Sequence, residues 1–93
     1  MHQPPAQIDG AQVALWAVSA QDSFEVLLHE GQEIPIPGLA ICCYPDDDHY
    51  WLYKCDRHWE VVLAWHADSL ESAKRVAQTH AAQETVAWHA WRE

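Results

Sequence analysis

Apolar and polar positions alternate through most of this chain, and clusters of turn-forming residues break the alternation into short segments. From Ala11 to Val18 the apolar residues Val13, Leu15, Trp16 and Val18 fit both a two-residue and a helical period in part. The turn-like cluster Ser19–Ser23, leading into a clearer strand, favours the strand. Phe24, Val26 and Leu28 then alternate with Glu25, Leu27 and His29, as a half-buried strand ending at Gly31 does. Pro35, Pro37 and Gly38 exclude a central strand, so Gly31–Gly38 reads as a loop or an irregular edge. Two further apolar runs, Leu39–Tyr44 and Tyr50–Cys55, flank a reversal at Pro45-Asp46-Asp47-Asp48. A second reversal at Asp56-Arg57-His58 leads into Trp59, Val61, Leu63 and Trp65 on one face, with Glu60, Val62, Ala64 and His66 on the other.

The period then changes. Leu70, Ala73, Val76, Ala77 and Ala81 lie at helical spacing and form a narrow, alanine-rich stripe. Asp68 with Glu71 three residues on has the form of a capping box, with Ser69 as the alternative cap. Glu71 faces Lys74 and Arg75 at i+3 and i+4. One helix is therefore expected over Ser69–Ala82, followed by a closing strand within Thr85–Trp91. Met1–Gly10 holds Pro4, Pro5 and Gly10 and reads as a loose N-terminal arm, leaving 11–93 as a single domain. The fold class is α+β: an antiparallel sheet of four to six strands, the helix packed on one face, and a C-terminal strand.

Ala-Trp-His-Ala occurs twice, at Ala64–Ala67 and Ala87–Ala90, on either side of the helix. A strand, a returning helix and another strand leave the two strands parallel if they share a sheet. As neighbours they would place Trp65 and Trp88 on one face and bring His66 and His89 together on the other.

Composition changes this picture in three ways. A chain of 93 residues makes one domain with a radius of gyration of roughly 12 Å, too small to bury much beyond its largest side chains. Its 6 tryptophans are many for that size. With one helix covering one face, several are expected to line an exposed apolar patch, of the kind that marks an interface. Trp16, Trp51, Trp59, Trp88 and Trp91 are the interaction candidates. Second, 14 acidic residues against 5 basic ones give a formal net charge of -9. That field repels nucleic-acid phosphates and anionic membrane surfaces and attracts a basic protein. Third, Cys42, Cys43 and Cys55 form no disulfide framework, which fits reduced thiols in the cytoplasm. The chain shows no secretory leader and no apolar run long enough to span a bilayer.

Candidate chemistry is sparse. His66 and His89, completed by Asp68, His29 or a cysteine, are the metal candidates, although no compact C-x-x-C or H-x-x-x-H spacing occurs. Asp46, Asp47 and Asp48 lack the alternate spacing, glycine and distal glutamate of a calcium loop. The cysteines sit among apolar residues on expected strands, away from the cationic neighbours that activate a nucleophilic thiol. No catalytic residue and no cofactor follow from any motif.

Tyr50–Ala77, with Asp56, Trp59, His66, Ser69-Leu70-Glu71 and Ala73-Lys74, resembles a pattern recurring in small uncharacterised bacterial proteins. In these an aromatic hairpin carrying D-x-x-W precedes a D-S-L-E-x-A-K helix and a Trp-containing tail. The resemblance covers about a third of the chain, supports the hairpin–helix order and implies no activity. By size and charge alone the chain is similar to immunity and antitoxin proteins. The expected role is a non-enzymatic interaction module, acting as a homodimer or on a basic partner as an immunity-like inhibitor would. A metal-binding protein using His66 and His89 is the alternative.

Overall fold

Nine elements follow one another along the chain: β1 (Gln7–Ile8), β2 (Ala11–Val18), β3 (Glu25–His29), β4 (Gln32–Ile36), β5 (Gly38–Cys43), β6 (Tyr50–Cys55), β7 (Val61–Ala67), α1 (Leu70–His80) and β8 (His89–Ala90). They are seen in a computed structural model that describes residues 1–93. The main sheet is six-stranded and antiparallel at every pairing, in the order β1-β2-β5-β6-β7, with β8 also on β2. β3 and β4 form a separate two-stranded hairpin. The fold is thus α+β with a main helix and a C-terminal strand.

Two tight turns explain where the chain is more ordered than expected. Asp9-Gly10 and Glu30-Gly31 both have positive φ at both residues (51° and 82°, 50° and 78°), the backbone of two-residue hairpins. The first folds Gln7–Ile8 back onto β2, so the N-terminal arm is not loose. Ile8 is buried, Gln3 exchanges hydrogen bonds with the Arg92 backbone, and the His2 and Pro4 carbonyls accept from Trp59 and Trp91. The second turn makes Gln32–Ile36 a strand, with Pro35 tolerated because the hairpin lies outside the main sheet. The hairpin also reverses the expected face: Phe24 is buried, but Val26 and Leu28 point to solvent while Glu25 and Leu27 turn inward.

Two bulges reset the alternation elsewhere. In β2 the register shifts between Val13 and Leu15, so Ala11 and Val13 face one side with Trp16 and Val18, while Leu15 and Ala17 face the other. This is why neither period fits that segment cleanly. In β7, Cys55 pairs with Val61 but Lys54 pairs with Leu63, leaving Val62 as the extra residue. Trp59 and Val61 therefore join one side of the sheet and Leu63 and Trp65 do not follow them.

The first face carries α1 and the β3–β4 hairpin over Phe24, Ile36, Leu39, Ile41 and Leu52. Its filling is mainly aliphatic, with Phe24 the one buried aromatic. Ala73, Ala77 and Ala81 form the seam through which the helix approaches. Ser69, not Asp68, is the N-cap: its hydroxyl accepts from Ser72 N at 3.0 Å. After α1 the chain loops over Gln78, whose side chain donates to the Ala81 and Glu84 carbonyls and accepts from Val86 N. Glu84 in turn receives the Ser19 hydroxyl and the Ala20 N–H. Inside this face Lys54, 3% exposed, donates to Glu25 at 2.8 Å and contacts His80 Nδ1 at 2.7 Å, joining β6, β3 and α1. The radius of gyration is 12.3 Å, and no helix is long and apolar enough to cross a membrane.

Candidate functional site

The tryptophans do not line an open face. Trp59 (9% exposed) lies in the second core with Ile8, Val13, Cys42, Tyr53 and Cys55, and Trp16, Trp51 and Trp91 pack against it half-buried. Trp16 meets Trp59 edge-on at 6.4 Å between centroids. The N-terminal segment reaches over Trp59 and Trp91, the indole N–H of Trp59 donating to the His2 carbonyl (2.9 Å) and that of Trp91 to Pro4 (2.8 Å). Gly38 is needed here: a Cβ on it would lie 2.9 Å from the Trp59 ring and from Met1 Cε. Trp88 packs half-buried against the first core instead. Much of the sheet face opposite the helix is thus covered, and of the five tryptophans expected as an interaction patch Trp59 is buried while Trp16, Trp51, Trp88 and Trp91 are half-buried. The Trp16 and Trp51 indole N–H groups are buried without a partner, so ring packing holds them in place.

Trp65 alone among the indoles is exposed, at 43%. The Val62 bulge turns it away from Trp59 and Val61, and the His80 ring holds it edge-on at 5.2 Å. It stands on β7, which ends the sheet and has no strand on its outer side. The segment Val61-Val62-Leu63-Ala64-Trp65-His66-Ala67 contains no Lys, Arg, Asp, Glu or Pro. Sheet edges are usually blunted by such residues, because unpaired backbone groups there recruit another strand. Beside β7 a groove of about 290 Å³ is lined by Leu27, Leu28, His29, Ile34, Val62 and Leu63. Leu28 (74% exposed) and Val26 (53%) extend the apolar surface onto the hairpin. Acidic side chains flank it: Glu30 and Glu33 on the hairpin, Glu60 and Asp68 at the two ends of β7.

His66 and His89 do not meet. β7 and β8 are parallel, as the strand–helix–strand order requires, but they occupy opposite edges of the sheet, four strand spacings or roughly 19 Å apart. His89 lies against the Trp16 ring at 4.7 Å. His66 instead has His49 and Asp68 beside it, the ligand atoms of all three lying within 4.8 Å of one another. The β6–β7 register makes this cluster: Tyr50 pairs with Ala67 and Trp51 with His66, which sets His49 opposite Asp68. Asp47 fixes the approach to His49 by accepting its N–H at 2.9 Å, so the Asp46-Asp47-Asp48 run serves as a turn. Reading His49 from the sequence requires the register of a hairpin whose count the Val62 bulge displaces by one.

Two of the three thiols, Cys42 and Cys55, are buried. Burial first, then the neighbouring Cys55 and Cys43 thiols and Asp9, push Cys42 far up. Burial, followed by Asp56 and Asp9, pushes Cys55 up to about 12. Both stay protonated near neutral pH, whereas the nucleophile is the thiolate. Tyr53 is likewise raised, by burial and then by its contact with the Tyr44 hydroxyl at 3.5 Å. No protein family, curated protein or solved structure matches the chain.

Proposed function

We propose that this domain is a protein-interaction module that pairs the free edge of β7 with an extended strand of a basic partner, as an immunity-like inhibitor would. The observation that carries the reading is an unpaired, charge-free seven-residue edge strand beside an apolar groove, with Trp65 as its exposed anchor. In strand addition, main-chain hydrogen bonds along an edge supply affinity and pockets for alternate side chains supply specificity. β7 offers the first and the groove the second. The net charge of -9 disfavours a second copy and favours a cationic strand, whose approach it accelerates at low salt.

Hydrogen exchange in the presence of an alternating Lys/Val peptide as long as β7 tests this. Slowed exchange is expected in Val61–Ala67, weakening as salt rises, together with a blue shift of Trp65 emission. An aromatic anchor at such a contact typically carries about 2 kcal/mol or more. Trp65→Ala should therefore weaken binding at least about 30-fold, and Leu63→Lys should abolish it. Protection elsewhere on the sheet, or none, overturns the reading. Light scattering that finds a salt-resistant dimer of the chain alone would reassign the edge to a second copy.

A further inference from the structure

We propose that His49, His66 and Asp68 form a surface site for one late first-row divalent cation, with zinc as the reference ion. The site shares His66 with the β7 edge proposed above, but His49 and Asp68 lie outside that strand. Two imidazoles and one carboxylate are a donor set suited to zinc, nickel or copper. Calcium and magnesium, which take six or more oxygens, are poorly matched.

The spacing is the stronger argument. His49 Nδ1 and Asp68 Oδ1 lie 3.8 Å apart, beyond a direct hydrogen bond, and no third donor of the cluster is farther than 4.8 Å from the others. Ligands around a tetrahedral ion with bonds of about 2.0–2.2 Å stand roughly 3.4 Å from one another. Inward rotation of side chains by about 1 Å closes the set, and all three are exposed and free to make it. Their backbones need not move. His66 and Asp68 are carried by β7 and its end, and His49 by the start of β6, two strands locked by pairing from Tyr50–Ala67 to Lys54–Leu63.

The surroundings favour a cation. Asp68 brings a formal negative charge, Asp46, Asp47 and Asp48 stand in the turn just before His49, and no Lys or Arg occurs between Pro45 and Leu52. The His66 ring lies 4.7 Å from the His49 ring, tilted by 50°, and meets Trp51 edge-on at 5.1 Å. Three protein ligands leave one position of a tetrahedral ion for water.

The test uses the untagged full chain, stripped with a chelator and titrated with zinc chloride by calorimetry. One ion per chain is expected. Loss of a supporting hydrogen bond alone weakens metal sites about 10-fold or more, so His49→Ala and His66→Ala should each weaken binding by at least that factor. Asp68→Asn should weaken it too, while His89→Ala, at the far edge, leaves it unchanged. Copper should quench Trp51, and Trp51→Phe should remove that quenching while keeping the stoichiometry. Binding well below one ion per chain, or an affinity indifferent to His49→Ala with the fold intact by circular dichroism, overturns the site. Because His49→Ala leaves β7 whole, peptide pairing at the edge is expected to survive it, and the two proposals fail separately.

Discussion

A single buried thiol shows how the side chains of this sheet respond to their surroundings. Cys55 sits on β6 beneath the aromatic layer, and burial lifts its titration from 9.0 to about 12. The folded protein therefore keeps a proton that the unfolded chain surrenders above pH 9. Its contribution to stability is whole below that point and is lost as the pH climbs towards the folded value, at no more than about 1.4 kcal/mol per pH unit. Denaturant titrations from about pH 8 to about pH 10 should show a steeper alkaline loss in the native protein than in Cys55→Ala. Equal slopes would contradict the assignment. Iodoacetamide on the folded protein should label Cys43, which is partly exposed, and spare Cys42 and Cys55 until denaturant is added. At this scale the sequence was legible in part: apolar neighbours on expected strands marked Cys42 and Cys55 as buried, while Cys43 is partly exposed. His49 was not legible, because its partner depends on a pairing that no local pattern reveals.

Elements were legible wherever their period ran unbroken. The helix lies within two residues of its expected ends, since Leu70, Ala73, Val76, Ala77 and Ala81 keep one phase throughout. β5 and β6 likewise follow their apolar runs. The misreadings cluster where one residue is added or a turn is tight: Val62 in β7, the step between Val13 and Leu15 in β2, and the Asp9-Gly10 turn that folds the N-terminal segment. A bulge inverts every later side chain of its strand, so an alternation correct at Trp59 and Val61 becomes wrong at Leu63 and Trp65. How the β3–β4 hairpin is fastened gives a prediction of its own. Lys54 is held by Glu25 and His80, and His80 Nδ1 must be the acceptor because an ammonium group only donates. Glu25→Ala strands a buried charge and should lower unfolding free energy by about 3 kcal/mol or more, whereas Lys54→Met with Glu25→Leu should recover most of it. Urea titration of the three proteins decides, and an unchanged midpoint in Glu25→Ala would show that the ion pair holds nothing.

The molecule as a whole divides its apolar content by face. Aliphatic side chains and alanines pack beneath the helix, and four of the six tryptophans pack on the other side, where residues 1–6 reach over Trp59 and Trp91. Composition foretold the shortage of covering elements, but not that a proline-rich segment would supply the cover. Removing residues 1–6 frees the Trp59 and Trp91 N–H groups and bares their rings. The two indole hydrogen bonds at about 1 kcal/mol each, with the exposed Gln3–Arg92 pair, the Val13–Ala6 backbone bond and some apolar contact also lost, predict a fall of roughly 10–20 °C in Tm, read by near-ultraviolet circular dichroism. A melt within about 2 °C of the intact chain would show the segment to be dispensable. The reciprocal bonds between Gln3 and Arg92 have a practical outcome. With residues 3 and 92 side by side, a short glycine linker can fuse the present ends into a ring, and new ones can be cut at the exposed Glu30-Gly31 tip. Such a circular permutant should fold with the same near-ultraviolet spectrum.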